Sequence, residues 1–186
     1  MNIKGNLVTL RAIEHEDRDL LHKWSNDPEI TYKLGGWHFP SSKADQLKWI
    51  DSLSLDDINK RFAIADQQSQ IVGVANLVNI NWKDRNAFHG ILIGEESSRN
   101  KGYGRDAVMA ICRFAFEELN FVRLDTTIIE NNEPSINLFT KKCGWKIEGV
   151  KKNYYFRKNK WSDQLILGIT SEDYYQLVKD TNYWNE

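Results

Sequence analysis

The stretch SSRNKGYGRDA, Ser97 to Ala107, sits between two segments of different periodicity. Before it, NAFHGILIG (Asn86–Gly94) is a short apolar run and reads as a strand. After it, RDAVMAICRFAFEELN sets Ala107, Val108, Ile111, Ala115 and Leu119 on one face of an amphipathic helix. A helix start exposes unpaired N–H groups, and the helix dipole favours an anion there. Gly102 and Gly104 let backbone amides turn inward with no Cβ in the way. The loop therefore reads as a pyrophosphate cradle. It lacks the G-x-x-x-x-G-K-[ST] of a nucleotide-triphosphate loop. It also fails the dinucleotide pattern, because Ala107 stands where a third glycine is required. Taken by itself, the same loop also reads as an ordinary strand-to-helix turn.

Working outward, NLVTLRAI (Asn6–Ile13) alternates like a strand, and EHEDRDLLHKWSND carries Leu20, Leu21 and Trp24 at helical spacing. Pro28 ends that helix. SSKADQLKWIDSL starts with serine caps and predicts a second helix. RFAIADQ and QIVGVANLVNIN form a hairpin about the turn QQSQ. VRLDTTIIE is a strand, NEPSINLFTKKCGW a short helix, and WKIEGVKKNYYFRKNKWSDQLILGIT a closing hairpin before a last helix, SEDYYQLVKD. The order predicts an α/β fold with a mixed sheet of six to seven strands, in one domain spanning 1–186.

The charge balance, 25 basic against 26 acidic residues, gives no overall basic field for nucleic acid. Two cysteines are too few for a disulfide framework, and no spacing suits a metal. Free thiols, no secretory signal and no span-length apolar run make a cytoplasmic, non-membrane protein the expectation.

R-x-x-G-x-G after such a strand resembles the acyl-CoA-binding signature of the GNAT superfamily of N-acetyltransferases. ENNEPSINLFTKKCGWKIEG is similar to a second motif of that family, with Asn132, Ser135, Leu138, Phe139, Lys142, Gly144 and Trp145 at its positions. The flanking segments extend the resemblance over nearly the whole chain, toward the branch acting on ribosomal-protein N-termini, spermidine and amino sugars. It implies acetyl-CoA as co-substrate, held in a V-shaped gap between two splayed parallel strands, HGILIG and RLDTTII. Leu92 and Ile93 would meet the pantetheine arm like an added strand. The amides of Arg99, Asn100, Lys101, Gly102, Tyr103 and Gly104 would hold the pyrophosphate, Asn132 would bond the cofactor arm near the second strand, and Ser135 and Phe139 would also contact the cofactor. Arg99 also reads as a solvated loop charge, and Asn132 as a helix cap. The acceptor would be a polyamine, an amino sugar or a protein N-terminal α-amine, and a homodimer is compatible with the pattern.

An alkylamine must lose a proton before it attacks, so a base or a desolvating pocket is needed. A bulged strand near Ile93 would supply an N–H for the developing oxyanion. Relatives place a tyrosine, the acid for the leaving thiolate, where this chain has Phe139. Ser135, Tyr103, Tyr154, Tyr155 or a water could stand in. For the base, His89 falls opposite the glutamate of relatives, or Phe88 if the alignment is fixed on Gly90. Glu29 and Asp163 are the other acids considered. Phe139 also leaves open a non-catalytic acyl-CoA-binding module of the same fold.

Overall fold

The structure is a computed structural model that describes residues 2–35 and 39–184. In chain order the elements are β1 (Ile3–Lys4), β2 (Thr9–Arg11), α1 (Arg18–Ser25), α2 (Pro28–Thr31), α3 (Lys43–Asp51), β3 (Lys60–Ala65), β4 (Ile71–Asn81) and β5 (Asn86–Ile93). There follow α4 (Tyr103–Arg113), β6 (Arg123–Ile129), α5 (Glu133–Asn137), β7 (Lys146–Arg157), β8 (Lys160–Thr170) and α6 (Ser171–Thr181). One sheet runs β1-β2-β3-β4-β5-β6-β8-β7, with every neighbour antiparallel except β5 and β6. The eighth strand is β1, two residues long and too short to leave a pattern in the sequence.

Neighbouring residues of β3 show how the layers divide. Ile64 joins a large core with Ala107, Val108, Met109 and Ile111 of α4, plus Phe139, Trp145 and Tyr174. Ala63 joins a second cluster with Leu21 and Trp24 of α1, Ile30 of α2 and Ile50 of α3. Side chains alternate across a strand, so these clusters cover opposite faces of the sheet. The hairpin turn falls at Asp66–Gln70, where both Gln68 N–H and Gln70 N–H donate to the Asp66 side chain. Pro28 does end α1, as expected, but it also begins α2. Its missing N–H costs nothing at a first turn, and Asp27 caps that turn by accepting from Glu29 N–H.

The strands β5 and β6 pair only over Asn86–Arg123, Ala87–Leu124 and Phe88–Asp125, and then part. That splay is the V that the family resemblance implies. Both helices beside it loosen into π turns, Phe114–Glu118 after α4 and Leu138–Lys142 after α5. Gly144, at φ +73°, then turns the chain into β7.

A candidate active site in the sheet split

Two cavities open where β5 leaves β6. One, of about 300 Å³, is lined by Arg99, Asn100, Gly102, Gly104, Arg105 and Lys142 around its far end. The other, of about 470 Å³, is walled by Asn76, Phe88, Thr126, Phe139, Tyr155 and Gln164. Lys33, Leu34, Ile91, Leu92, Asn132 and Ser135 line both. The cavities therefore meet at the start of α5.

The first cavity fits a diphosphate. Gly102 is the residue before α4 and takes φ +87°, a conformation that costs an L-residue energy. Its carbonyl accepts the first helix bond from Asp106 N–H at 3.0 Å. A Cβ on Gly104 would point toward Leu138 and Ile93, at 3.4 and 3.8 Å, into the cleft wall. Arg99, Arg105 and Lys142 supply positive charge, against Glu29 at the rim. Arg105 and Lys142 escaped the sequence reading as ligands, although Lys142 was visible in the motif. Lys101 and Tyr103 are not among the lining residues. Tyr103 packs on the core and cannot serve as the acid.

The loop helix is anchored from behind. The fully buried Asp106 accepts from Asn6 N–H at 2.9 Å, Leu7 N–H at 2.7 Å and Val8 N–H at 2.9 Å. Tyr183 Oη donates to the same carboxylate at 2.9 Å. The β1–β2 turn and the C-terminal segment are thus tied to the first turn of α4.

Along β5, Gly94 N–H donates to Val72 O, on the β4 side. Alternation turns the peptide groups of Ile91 and Ile93 toward the gap, where no strand pairs with them among the described residues. The register with β4 is unbroken from Phe88 to Ile93, so the bulge expected near Ile93 is absent; the irregularity lies at Val78–Asn81 instead.

The site corrects the expectation for His89. Its ring is fully buried on the helix side of β5, 5.9 Å from the Phe139 ring and 6.1 Å from Trp145. It lines neither cavity, so it cannot reach an amine. Nδ1 lies 2.8 Å from Asn76 O, while Nε2 has no partner. Burial pulls its pKa from 6.5 down to about 4, the bond to Asn76 opposing only in part. Unfolded chains take up this proton below about 6.5, and the folded protein only near 4. The stabilising effect is therefore complete above pH 6.5 and is lost as pH falls toward 4. We expect urea unfolding to show about 3 kcal/mol of acid destabilisation from this group, a loss that His89→Phe lacks. An equal acid loss in both proteins would contradict the burial.

The other acids lie elsewhere too. Glu29 is exposed at the rim of the diphosphate cavity, 4.0 Å from Lys158 Nζ. Asp163 is held by Lys152 Nζ at 2.6 Å and Asn153 N–H at 2.9 Å, which keeps its carboxyl below the usual range. Among the described residues, no carboxylate lines the larger cavity. Phe139 does line it, and Ser135 sits at the junction. Asn132 accepts from Ser135 N–H at 3.4 Å and donates to Lys33 O at 3.3 Å, so it is a cap that also joins the two walls. Tyr155 Oη accepts from Gln164 Nε2 at 2.6 Å, and its own proton is left for another acceptor. Cys112 and Cys143 are buried, with thiol pKa values pushed up, to about 12 for Cys143.

Residues 8–146 match the family model described as the acetyltransferase (GNAT) domain. The chain is 31% identical over 170 residues to the uncharacterized N-acetyltransferase YokL, derived from the SPbeta prophage of Bacillus subtilis (strain 168), covering 91% of this chain and 93% of that one. It is 25% identical to the spermidine N(1)-acetyltransferase of Vibrio cholerae, over 90% of this chain and 95% of the relative. In fold it is similar to the crystal structure of spermidine N-acetyltransferase from Vibrio cholerae in complex with CoA and spermine. There the TM-score is 0.83 at 23% identity, over 90% of this chain and 98% of that one.

Proposed function

Because this chain belongs to the GNAT acetyltransferase family, we propose that it moves an acetyl group from acetyl-CoA to a primary amine by direct attack on the thioester. The observation that carries this reading is the meeting of a basic, glycine-lined cavity and a separate larger cavity at Asn132 and Ser135. Arg99, Asn100, Gly102 and Gly104, with Arg105 and Lys142, would hold the pyrophosphate. Ile91 and Ile93 pair with the pantetheine arm through their free peptide edges. When bound, the cofactor supplies the acetyl thioester whose C–S bond breaks as the N–C bond forms.

The rest is done by this chain's residues. The acceptor cavity desolvates the amine, and Lys33 adds repulsion, so the neutral form is favoured without a carboxylate base. Ser135 donates toward the departing sulfur, and Tyr155 holds a second proton across the cavity. Neither cysteine can carry an acyl group, since both are buried, line neither cavity and hold their protons. Two free thiols also suit a reducing, cytoplasmic compartment.

Direct attack predicts intersecting initial-rate lines when acetyl-CoA and amine are varied together. Parallel lines would mean an acyl-enzyme and would overturn the mechanism. Ser135→Ala is expected to lower kcat about tenfold, because a thiolate of pKa about 8.5 leaves tolerably without an acid. The acetyl-CoA Kd should stay within about twofold. Unchanged kcat would move the proton to Tyr155 or water.

A further inference from the structure

Resting on the acetyltransferase reading, we propose that the acceptor amine is carried on a phosphate-bearing small molecule, gripped by the basic β7–β8 hairpin at the mouth of the acceptor cavity. The whole chain is nearly neutral, at a formal net charge of −1. Yet Lys151, Lys152, Arg157, Lys158 and Lys160 all fall within KKNYYFRKNKW, residues 151–161, which holds no acid. This hairpin is part of the acceptor wall: Tyr154 and Tyr155 line the larger cavity and not the diphosphate one. Arg157 reaches across the mouth, donating to Leu34 O at 3.4 Å, and Lys158 lies 4.8 Å from the centre of the Tyr32 ring.

The acids beside the hairpin do not balance its charge. Asp163 is paired with Lys152, Glu130 accepts from Asp163 N–H, and Glu29 stands 4.0 Å from Lys158. Lys151 lies over the Tyr154 ring, and neither it nor Lys160 makes an ion pair among the described residues. Inside the cavity, Lys33 is the charged lining residue. A polycation would meet repulsion at the rim and no counter-charge within. An anionic amine is drawn in, with its charge at the hairpin and its nitrogen toward Ser135. Tyr154, Phe156 and Trp161 are about half exposed, and Phe156 and Trp161 pair at 5.1 Å, giving a ring platform beside the cations. A cavity of about 470 Å³ is in the range for a small molecule.

The test uses the full chain saturated with CoA for binding, and with acetyl-CoA for turnover. The probes are glucosamine, glucosamine 6-phosphate, UDP-glucosamine, spermidine and a peptide with an acidic N-terminal sequence. One of the two phosphate-bearing amines is expected to bind at least about tenfold more tightly than glucosamine, and the advantage should shrink with salt. Which one wins separates a sugar phosphate from a nucleotide-linked amine. In Lys151→Glu/Lys160→Glu the ratio of phosphate-bearing to neutral amine, in affinity and in kcat/KM, should fall about tenfold. Equal or tighter binding of glucosamine or spermidine, or preference for the peptide, overturns the proposal. Phosphate preference in binding without acetyl transfer to any amine would uphold this site while sinking the acetyltransferase reading. Turnover without phosphate preference would do the reverse.

Discussion

Acetyl-CoA affinity is expected to fall about a hundredfold in Gly102→Asp, a change of about 3 kcal/mol. Two effects add. Gly102 holds φ +87°, so any side chain there strains the turn, and its Cβ would stand 3.0 Å from Leu7 Cδ1. The carboxylate would also place a negative charge where the N–H groups of α4 and the Arg99, Arg105 and Lys142 cluster await a diphosphate. Gly102→Ala carries the strain without the charge and should lose about tenfold or less. Calorimetric titration of the folded variants measures both. An unchanged Kd in Gly102→Asp would remove the loop from the cofactor site.

The largest stability effect is expected at Asp106. Its carboxylate accepts three backbone N–H bonds from the β1–β2 turn and one from Tyr183 Oη, with no exposure to solvent. Asp106→Ala leaves those donors unpaired, and the sum is about 4 kcal/mol. For a chain of this size that lowers Tm by about 8–16 °C. The carboxylate is also a close steric neighbour of Gly5, whose Cβ would overlap it, so a bulkier residue at either position collides. Thermal unfolding checks this. A Tm within about 2 °C of the parent would mean the turn is held by other contacts.

Much of this arrangement was written in periodicity. The hairpin about QQSQ and the face of Ala107, Val108 and Ile111 placed strands and a helix, and the glycine loop stands before α4 as expected, whereas of the strand read over Asn6–Ile13 only Thr9–Arg11 pairs, because Asn6–Val8 turn to meet Asp106. The side-chain roles were harder. In β5 both faces are covered, so NAFHGILIG carries no polar–apolar alternation to say that Phe88 faces the cavity and His89 the helices. The π turn at Leu138–Lys142 adds a residue to its turn, which helical spacing does not reveal, and it governs where Phe139 points. Asp106 stands in the first turn of α4. Its backbone partners lie about a hundred residues upstream and Tyr183 lies 77 residues downstream, and no local pattern announces such contacts. Tyr155 and Gln164 belong to two strands whose pairing alone brings the hydroxyl to the amide.

Amine-dependent release of the CoA thiol by the purified chain tests acetyl transfer itself. With acetyl-CoA and a panel of amines, thiol release is expected to rise with amine concentration. One equivalent of N-acetylated amine, found by mass, is expected for each thiol formed. A chain that binds acetyl-CoA and shifts its melting temperature, yet releases no thiol with any amine of the panel, would contradict acetyl transfer.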